Sequence, residues 1–207
     1  MKDLLRQAYN LIARDWNKDH INDGWWIEAT DKYISLFNPG DKILDVGCGS
    51  GLKTEYLIKR GLVVKGIDLS DEMIKYARRN VPKAEFAVMD MEDLDDLNEV
   101  FDGIYAQAVI LHLEKVKVPS LFEKFKRRIK HGGYLYIAVK QARENSPEEE
   151  IVTENDYGYE YTRFFSYYKP EEIEKYFTDA NFEIIHKSVN LTGKTNWIQV
   201  IGKAKNG

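Results

Sequence analysis

The chain has 207 residues, enough for one α/β domain with a core of its own and too few for two domains of ordinary size. Its formal net charge of −4 and isoelectric point near 5.7 speak against a surface built to grip a long nucleic-acid backbone, and favour a small-molecule partner. The single cysteine, Cys48, excludes an intrachain disulfide and a thiol set for zinc, so a reducing compartment and no metal are expected.

No apolar run approaches the roughly 18 to 20 residues that cross a bilayer. Residues 1–20 are charged throughout, without the apolar core of a signal peptide, so a cytoplasmic protein with no membrane contact is expected.

Residues 2–17 place Leu4, Leu5, Ala8, Leu11, Ile12 and Trp16 at helical spacing, and a second apolar pattern runs from Trp25 to Phe37, before the breaker Asn38-Pro39-Gly40. Two helices therefore precede the sheet. Strand-like and helix-like segments then alternate: strands over 42–46, 62–67, 84–88, 101–107 and 134–139, with helices over 51–60, 70–80 and 118–130. That alternation means parallel strands joined by crossover helices. Ser70 is the natural N-cap of the helix over 70–80, with Asp71 and Glu72 in the first turn and Arg78 and Arg79 towards the end.

Past residue 140 the pattern changes. Residues 141–162 are polar and Glu-rich, and the Glu148-Glu149-Glu150 run reads as a solvated loop. A short helix follows Lys169-Pro170, and two β-rich runs (182–191 and 196–205) flank the turn Thr192-Gly193-Lys194. The expected fold is a doubly wound α/β domain: a mostly parallel seven-stranded sheet, a C-terminal antiparallel hairpin and N-terminal helices.

The first strand runs straight into Gly47-Cys48-Gly49-Ser50-Gly51 and then a helix, an arrangement that lets backbone come close to a ligand and aims helix N–H groups at it. A nucleotide-like ligand is expected. Leu52 stands where the dinucleotide fingerprint wants its third glycine, which leans away from NAD.

The stretch DVGCGSG resembles motif I of class I S-adenosylmethionine-dependent methyltransferases, and the likeness extends over about residues 42–140. It implies a Rossmann-like methyltransferase fold, S-adenosyl-L-methionine as cofactor and S-adenosyl-L-homocysteine as product. It also implies that Gly47, Cys48, Gly49 and Gly51 border the cofactor, Cys48 doing so by filling a small space. Asp45 would position the methionine part. Asp68, followed by Leu69, would bind both ribose hydroxyls, which suits a carboxylate that accepts from two donors. Asp90 would face the adenine amino group, and the Met91 N–H a ring nitrogen.

Residues 1–40 would then be a helical lid, 41–140 the cofactor-binding core, and 141–207 the substrate-side segment with the last strands. Ala106 and Gln107, at the tip of the fourth strand, and His112 fall where related enzymes approach the transferable methyl. His112 has two readings, a general base or a packed structural histidine. Tyr9, Trp16, Trp25 and Trp26 either close over the cofactor, where an aromatic can embrace a sulfonium, or simply bury themselves.

Arg163, among tyrosines and phenylalanines in residues 157–172, is either an anion receptor or a surface ion-pair partner. That stretch is similar to a late segment of tRNA wobble-uridine carboxymethyl methyltransferases. Lys115, Lys117, Lys124, Lys126, Arg127, Arg128 and Lys130 form a basic cluster that would either receive phosphates or be a solvated helix face.

The leading expectation is methyl transfer to an oxygen or nitrogen of a small-molecule acceptor, a carboxylate included, by a monomer or homodimer, with His112 and Arg163 as the catalytic candidates. The alternatives are a tRNA wobble-uridine carboxyl methyltransferase and a non-catalytic partner subunit of another methyltransferase.

Overall fold

The apolar runs of the first two thirds of the chain become the strands β1 (Lys42–Val46), β2 (Val63–Asp68), β3 (Glu85–Val88), β4 (Phe101–Gln107) and β5 (Ile129–Lys140) of a computed structural model that describes residues 1–205. They pair in parallel, and the last two strands, β8 (Phe182–Thr192) and β9 (Thr195–Ala204), complete a seven-stranded sheet of order β3-β2-β1-β4-β5-β9-β8. β9 is antiparallel to both β5 and β8, so the expected C-terminal hairpin inserts its second strand against β5 and leaves its first at the edge.

The two-residue period of the strands sorts their side chains onto two helical layers. Leu44, Val46, Ile104, Ala106, Ile137 and Val139 share one cluster with Phe122 and Phe125 of α5 (Val118–Arg128) and Ile173 and Phe177 of α6 (Pro170–Asp179). Their neighbours Ile43, Tyr105, Tyr136 and Ala138 join Ala29 and Tyr33 of α2 (Ile27–Ile34) and Leu57 of α3 (Leu52–Ile58) on the other face. Beyond them Ile74 and Ala77 of α4 (Asp71–Asn80) pack against Phe86. Ser70 does cap α4, accepting the Met73 N–H at 3.1 Å.

Strand order reverses at β1, between β2 and β4, which opens a crevice beyond the strands' carboxyl ends. The first helix, α1 (Lys2–Asp19), is tied down on both sides of that crevice. On one side Arg6 pairs with Asp71 at 2.7 Å, and the Ser70 hydroxyl donates to Asn10 at 2.6 Å. On the other the Tyr159 hydroxyl donates to Asp15 at 2.8 Å and Arg163 donates to Tyr9 at 3.1 Å.

The expected solvated loop at Glu148-Glu149-Glu150 is corrected by the structure. β6 (Glu149–Glu154) and β7 (Tyr161–Ser166) form a separate antiparallel hairpin, so two of the three glutamates at 148–150 begin a strand. Glutamate is a poor strand former, but here each carboxylate has a tertiary partner: Glu148 pairs with Lys115, Glu149 accepts the Lys115 N–H, Glu150 accepts from Tyr167, and Glu154 pairs with Arg163. Such partners decide strand formation more than intrinsic preference does.

Candidate active site

The turn after β1 is shaped by three glycines with left-handed φ. At Gly47 (φ 71°) a Cβ would lie 2.5 Å from the Val109 side chain, so contact as well as backbone requires glycine there, whereas at Gly49 (φ 53°) the Trp16 ring, 3.4 Å from where a Cβ would sit, is in ordinary contact and the left-handed backbone is what favours glycine. Gly51 serves a different purpose: it opens α3 beside Ala77 of α4 and Val81, which follows α4, and does not border the crevice.

A cavity of about 390 Å³ occupies the crevice. Three carboxylates border it from the ends of adjacent strands: Asp45 at β1, Asp68 at β2 and Asp90 after β3. Asp68 accepts the Gly49 N–H at 2.9 Å on one oxygen and the Ser70 N–H at 2.8 Å on the other, which holds the carboxylate square to the glycine turn. Burial raises its pKa to about 6 against those two donors. Asp45, 2% exposed, accepts from the Thr54 hydroxyl at 2.6 Å; burial raises it to about 7, with Thr54 and Lys53 pulling the other way. Asp90 accepts the Glu92 N–H at 2.8 Å, and its second oxygen meets the Lys2 ammonium at 3.0 Å, so α1 reaches the far end of the cavity.

Leu69 and Met91 border the cavity beside their acidic neighbours, and Cys48 lines it while packing with Ile74 and Phe86. Burial pushes the Cys48 thiol well above its ordinary pKa. Gln107 also borders the cavity, its carbonyl taken by the Tyr105 hydroxyl. Ala106 does not: its side chain points into the core on the other face of β4.

The opposite half of the cavity holds a chain of hydrogen bonds. Both ring nitrogens of His112 are engaged at 2.7 Å, Nδ1 by the Phe164 carbonyl and Nε2 by the Tyr9 hydroxyl. A carbonyl only accepts, so the ring N–H sits on Nδ1 and donates to it, and Nε2 accepts the hydrogen bond of the Tyr9 hydroxyl. Arg163 Nη1 donates to the Tyr9 oxygen at 3.1 Å, while its Nε and Nη2 bind both oxygens of Glu154 at 2.7 Å. Burial, with the nearby Arg163 and Lys140 charges, lowers His112 to about 3, so it stays neutral across the physiological range.

Of the aromatic residues singled out in the sequence, Tyr9 and Trp16 border the cavity from α1, and Trp25 stacks on Trp197 at its rim with ring centroids 4.2 Å apart. Trp26 is buried at 3% exposure. The basic cluster is spent internally. Lys115 pairs with Glu148 and Glu172, Lys117 with Glu92 and Glu114, Arg127 with Asp95 and Lys130 with Asp102, while Lys124, Lys126 and Arg128 donate to backbone carbonyls.

Two cavity-lining residues, Lys53 and Lys140, and the partner of a third, Glu154, escape sequence reasoning. Lys53 lies 5.6 Å from the Trp16 ring and 5.5 Å from the Trp26 ring, Lys140 sits 4.2 Å from the Phe165 ring, and Glu154 neutralises Arg163. The one available signal was position: Lys140 is the first charged residue after the apolar run of the fifth strand.

A family profile described as a methyltransferase domain matches residues 19–187. Phosphoethanolamine N-methyltransferase 1 of Zea mays is 37% identical over 133 residues, 61% of this chain and 26% of that protein, so the chain spans about a quarter of that relative's length. A ubiquinone biosynthesis O-methyltransferase of Xylella fastidiosa is 28% identical over 161 residues, 65% of this chain and 64% of that protein. Among solved structures, Burkholderia thailandensis 1,6-didemethyltoxoflavin-N1-methyltransferase, with bound 1,6-didemethyltoxoflavin and S-adenosylhomocysteine, superposes with a TM-score of 0.78 at 16% identity, covering 99% of this chain and 88% of that one. The magnesium protoporphyrin IX methyltransferase of Synechocystis PCC 6803 does so at 0.74 and 16%, covering 97% and 98%. With a profile covering most of its length and the glycine turn and carboxylates described above, the chain belongs to the class I S-adenosylmethionine-dependent methyltransferase family.

Proposed function

We propose that this protein transfers the methyl group of S-adenosylmethionine to a nitrogen or oxygen of a small-molecule acceptor, acceptors bearing a carboxylate included. The observation that carries the reading is the placement of Asp45, Asp68 and Asp90 on one cavity with the Tyr9–His112 pair.

The residues fit the cofactor. Gly47 and Gly49 turn the backbone through left-handed φ beside the cavity, with no room for a side chain at Gly47, and Asp68 offers a rigid, ionisable acceptor for two hydroxyls. Asp90 and Met91 would hold the adenine, Asp68 the ribose, and Asp45 with Lys53 the amino-acid end. Lys53 suits the carboxylate of that end: it borders the cavity beside Asp45, burial lowers its pKa, and among the described residues it has no ion-pair partner. When bound, the cofactor supplies a methyl group on a sulfonium, and a neutral thioether is left behind.

What the chain adds is placement and proton handling. The Tyr9 oxygen has two lone pairs, one of which accepts from Arg163. The other accepts the N–H or O–H of the acceptor, aiming the nucleophile's own lone pair at the methyl. His112 acts through Tyr9 as a positioning residue, because a direct role would require breaking the Tyr9 contact. Arg163 holds the same phenol, and α1 serves as the cover that brings Tyr9 and Trp16 in. The ion-paired basic residues of α5 offer no comparable receptor for tRNA.

Calorimetry with S-adenosylhomocysteine, beside NADH, tests the reading. Micromolar binding of the first alone is expected; binding of neither, or of NADH, overturns it.

A further inference from the structure

Arg163, the side chain whose sequence setting suggested an anion receptor, already has its charge matched by a carboxylate. Two of its nitrogens are bound to Glu154 and a third to Tyr9, so guanidinium and carboxylate form a neutral pair. His112 is neutral and Gln107 uncharged. On the β4–β5 side of the cavity, among the described residues, one charged group is left without an opposite partner: Lys140, the last residue of β5.

The Lys140 ammonium makes no hydrogen bond or ion pair among the described residues and rests over the Phe165 ring at 4.2 Å. A half-buried cation held this way gives up hydration without gaining a counter-charge. Burial first, then Arg163, pulls its pKa down to about 8, with Glu154 and Glu150 opposing and Arg143 assisting, so it is still charged at neutral pH. The surroundings suit a bound anion. Thr192 and Thr195 of the β8–β9 hairpin border the same cavity with hydroxyls that can donate to anionic oxygens. The stacked Trp25–Trp197 pair closes that side, and Phe165, which carries Lys140 on its face, also touches the His112 ring at 4.9 Å between centroids.

We propose that Lys140 is the anion receptor of the acceptor site, so that the acceptor carries a phosphate or a carboxylate group held at Lys140 while its nucleophilic atom reaches Tyr9. The assignment rests on the methyltransferase reading for its chemistry, but the anion site itself can be measured without turnover.

Tryptophan fluorescence, with Trp25 and Trp197 as reporters, is followed while inorganic phosphate and, separately, acetate are titrated into the free protein and into protein saturated with S-adenosylhomocysteine. Saturable binding of at least one anion is expected, about tenfold or more weaker in Lys140→Gln, the loss of one charge-assisted contact, and recovered in Lys140→Arg. S-adenosylhomocysteine affinity should stay within about twofold in both variants, since the cofactor end lies at β1 to β3. The stronger anion identifies the acceptor's charged group as phosphate or carboxylate. Absence of saturable binding in the parent protein, or equal binding in Lys140→Gln, overturns the proposal. If S-adenosylhomocysteine fails to bind, the methyltransferase reading falls, and the titration of free protein still decides Lys140.

Discussion

Replacing Asp68 by asparagine keeps the side chain's volume and removes its charge. In the structure both carboxylate oxygens already accept backbone N–H groups, from Gly49 and Ser70, and the remaining lone pairs face the cavity. Two ribose hydroxyls donating to an ion would each contribute about 1.5–3 kcal/mol, against about 0.5–1.5 kcal/mol to a neutral acceptor, a difference of about 2–3 kcal/mol for the pair. That corresponds to a rise in the Kd for S-adenosylhomocysteine of about 30- to 150-fold. The asparagine NH2 would also face one of the two backbone N–H donors, so the glycine turn should loosen and the Tm fall by a few degrees. Calorimetry and thermal unfolding on the same preparation separate the two effects. A folded Asp68→Asn protein that binds S-adenosylhomocysteine within about twofold of the parent would refute the placement of the ribose.

The same carboxylate predicts a pH dependence. Burial puts Asp68 at about 6, and the ionised form is the better acceptor, so affinity for S-adenosylhomocysteine should hold above that pH and weaken about tenfold for each unit below it. Asp68→Asn should remove that limb of the profile, and an unchanged limb would assign the titration elsewhere, Asp45 being the next candidate. Tyr9→Phe deletes the hydroxyl between His112 and Arg163, and should lower kcat by about 10²-fold or more with S-adenosylhomocysteine affinity within about threefold; an unchanged kcat measured by methyl transfer would leave Tyr9 a packing residue. Lys53→Met should weaken S-adenosylhomocysteine by about tenfold and leave 5′-methylthioadenosine, which lacks the amino-acid end, unaffected. Equal losses for both ligands, read by calorimetry, would point to a disturbed turn instead of a lost contact.

The cofactor half of the site was legible in the sequence for local reasons. Strand β1, the glycine turn and α3 are contiguous, and the φ requirements of Gly47 and Gly49 appear directly as glycine. The resemblance to motif I singled out Asp45, Asp68 and Asp90, and each stands at or just past the end of an apolar strand, where the crevice begins. Gly51 and Ala106 stand off the cavity lining. One is a glycine for helix packing and the other points to the opposite face of its strand, and proximity in the chain does not reveal which way a side chain points.

The acceptor half was legible only as separate candidates, Tyr9, His112 and Arg163, and their connections were not, for the complementary reason. The β6–β7 hairpin has a Glu-rich strand that no propensity predicts, and it exists because Lys115, Tyr167 and Arg163 meet its carboxylates from other elements. Tyr9, His112, Glu154 and Arg163 come from α1, the turn after β4 and the hairpin, and only folding brings them into one chain of hydrogen bonds. The sequence by itself determined the alternating strands and helices, the glycine turn and the three acidic strand ends, because hydrophobic period and backbone φ are written residue by residue. Tertiary structure alone decided that Arg163 is neutralised, that His112 faces Tyr9 and that Lys140 stands unpaired among the described residues, because charge compensation depends on which distant groups burial forces together.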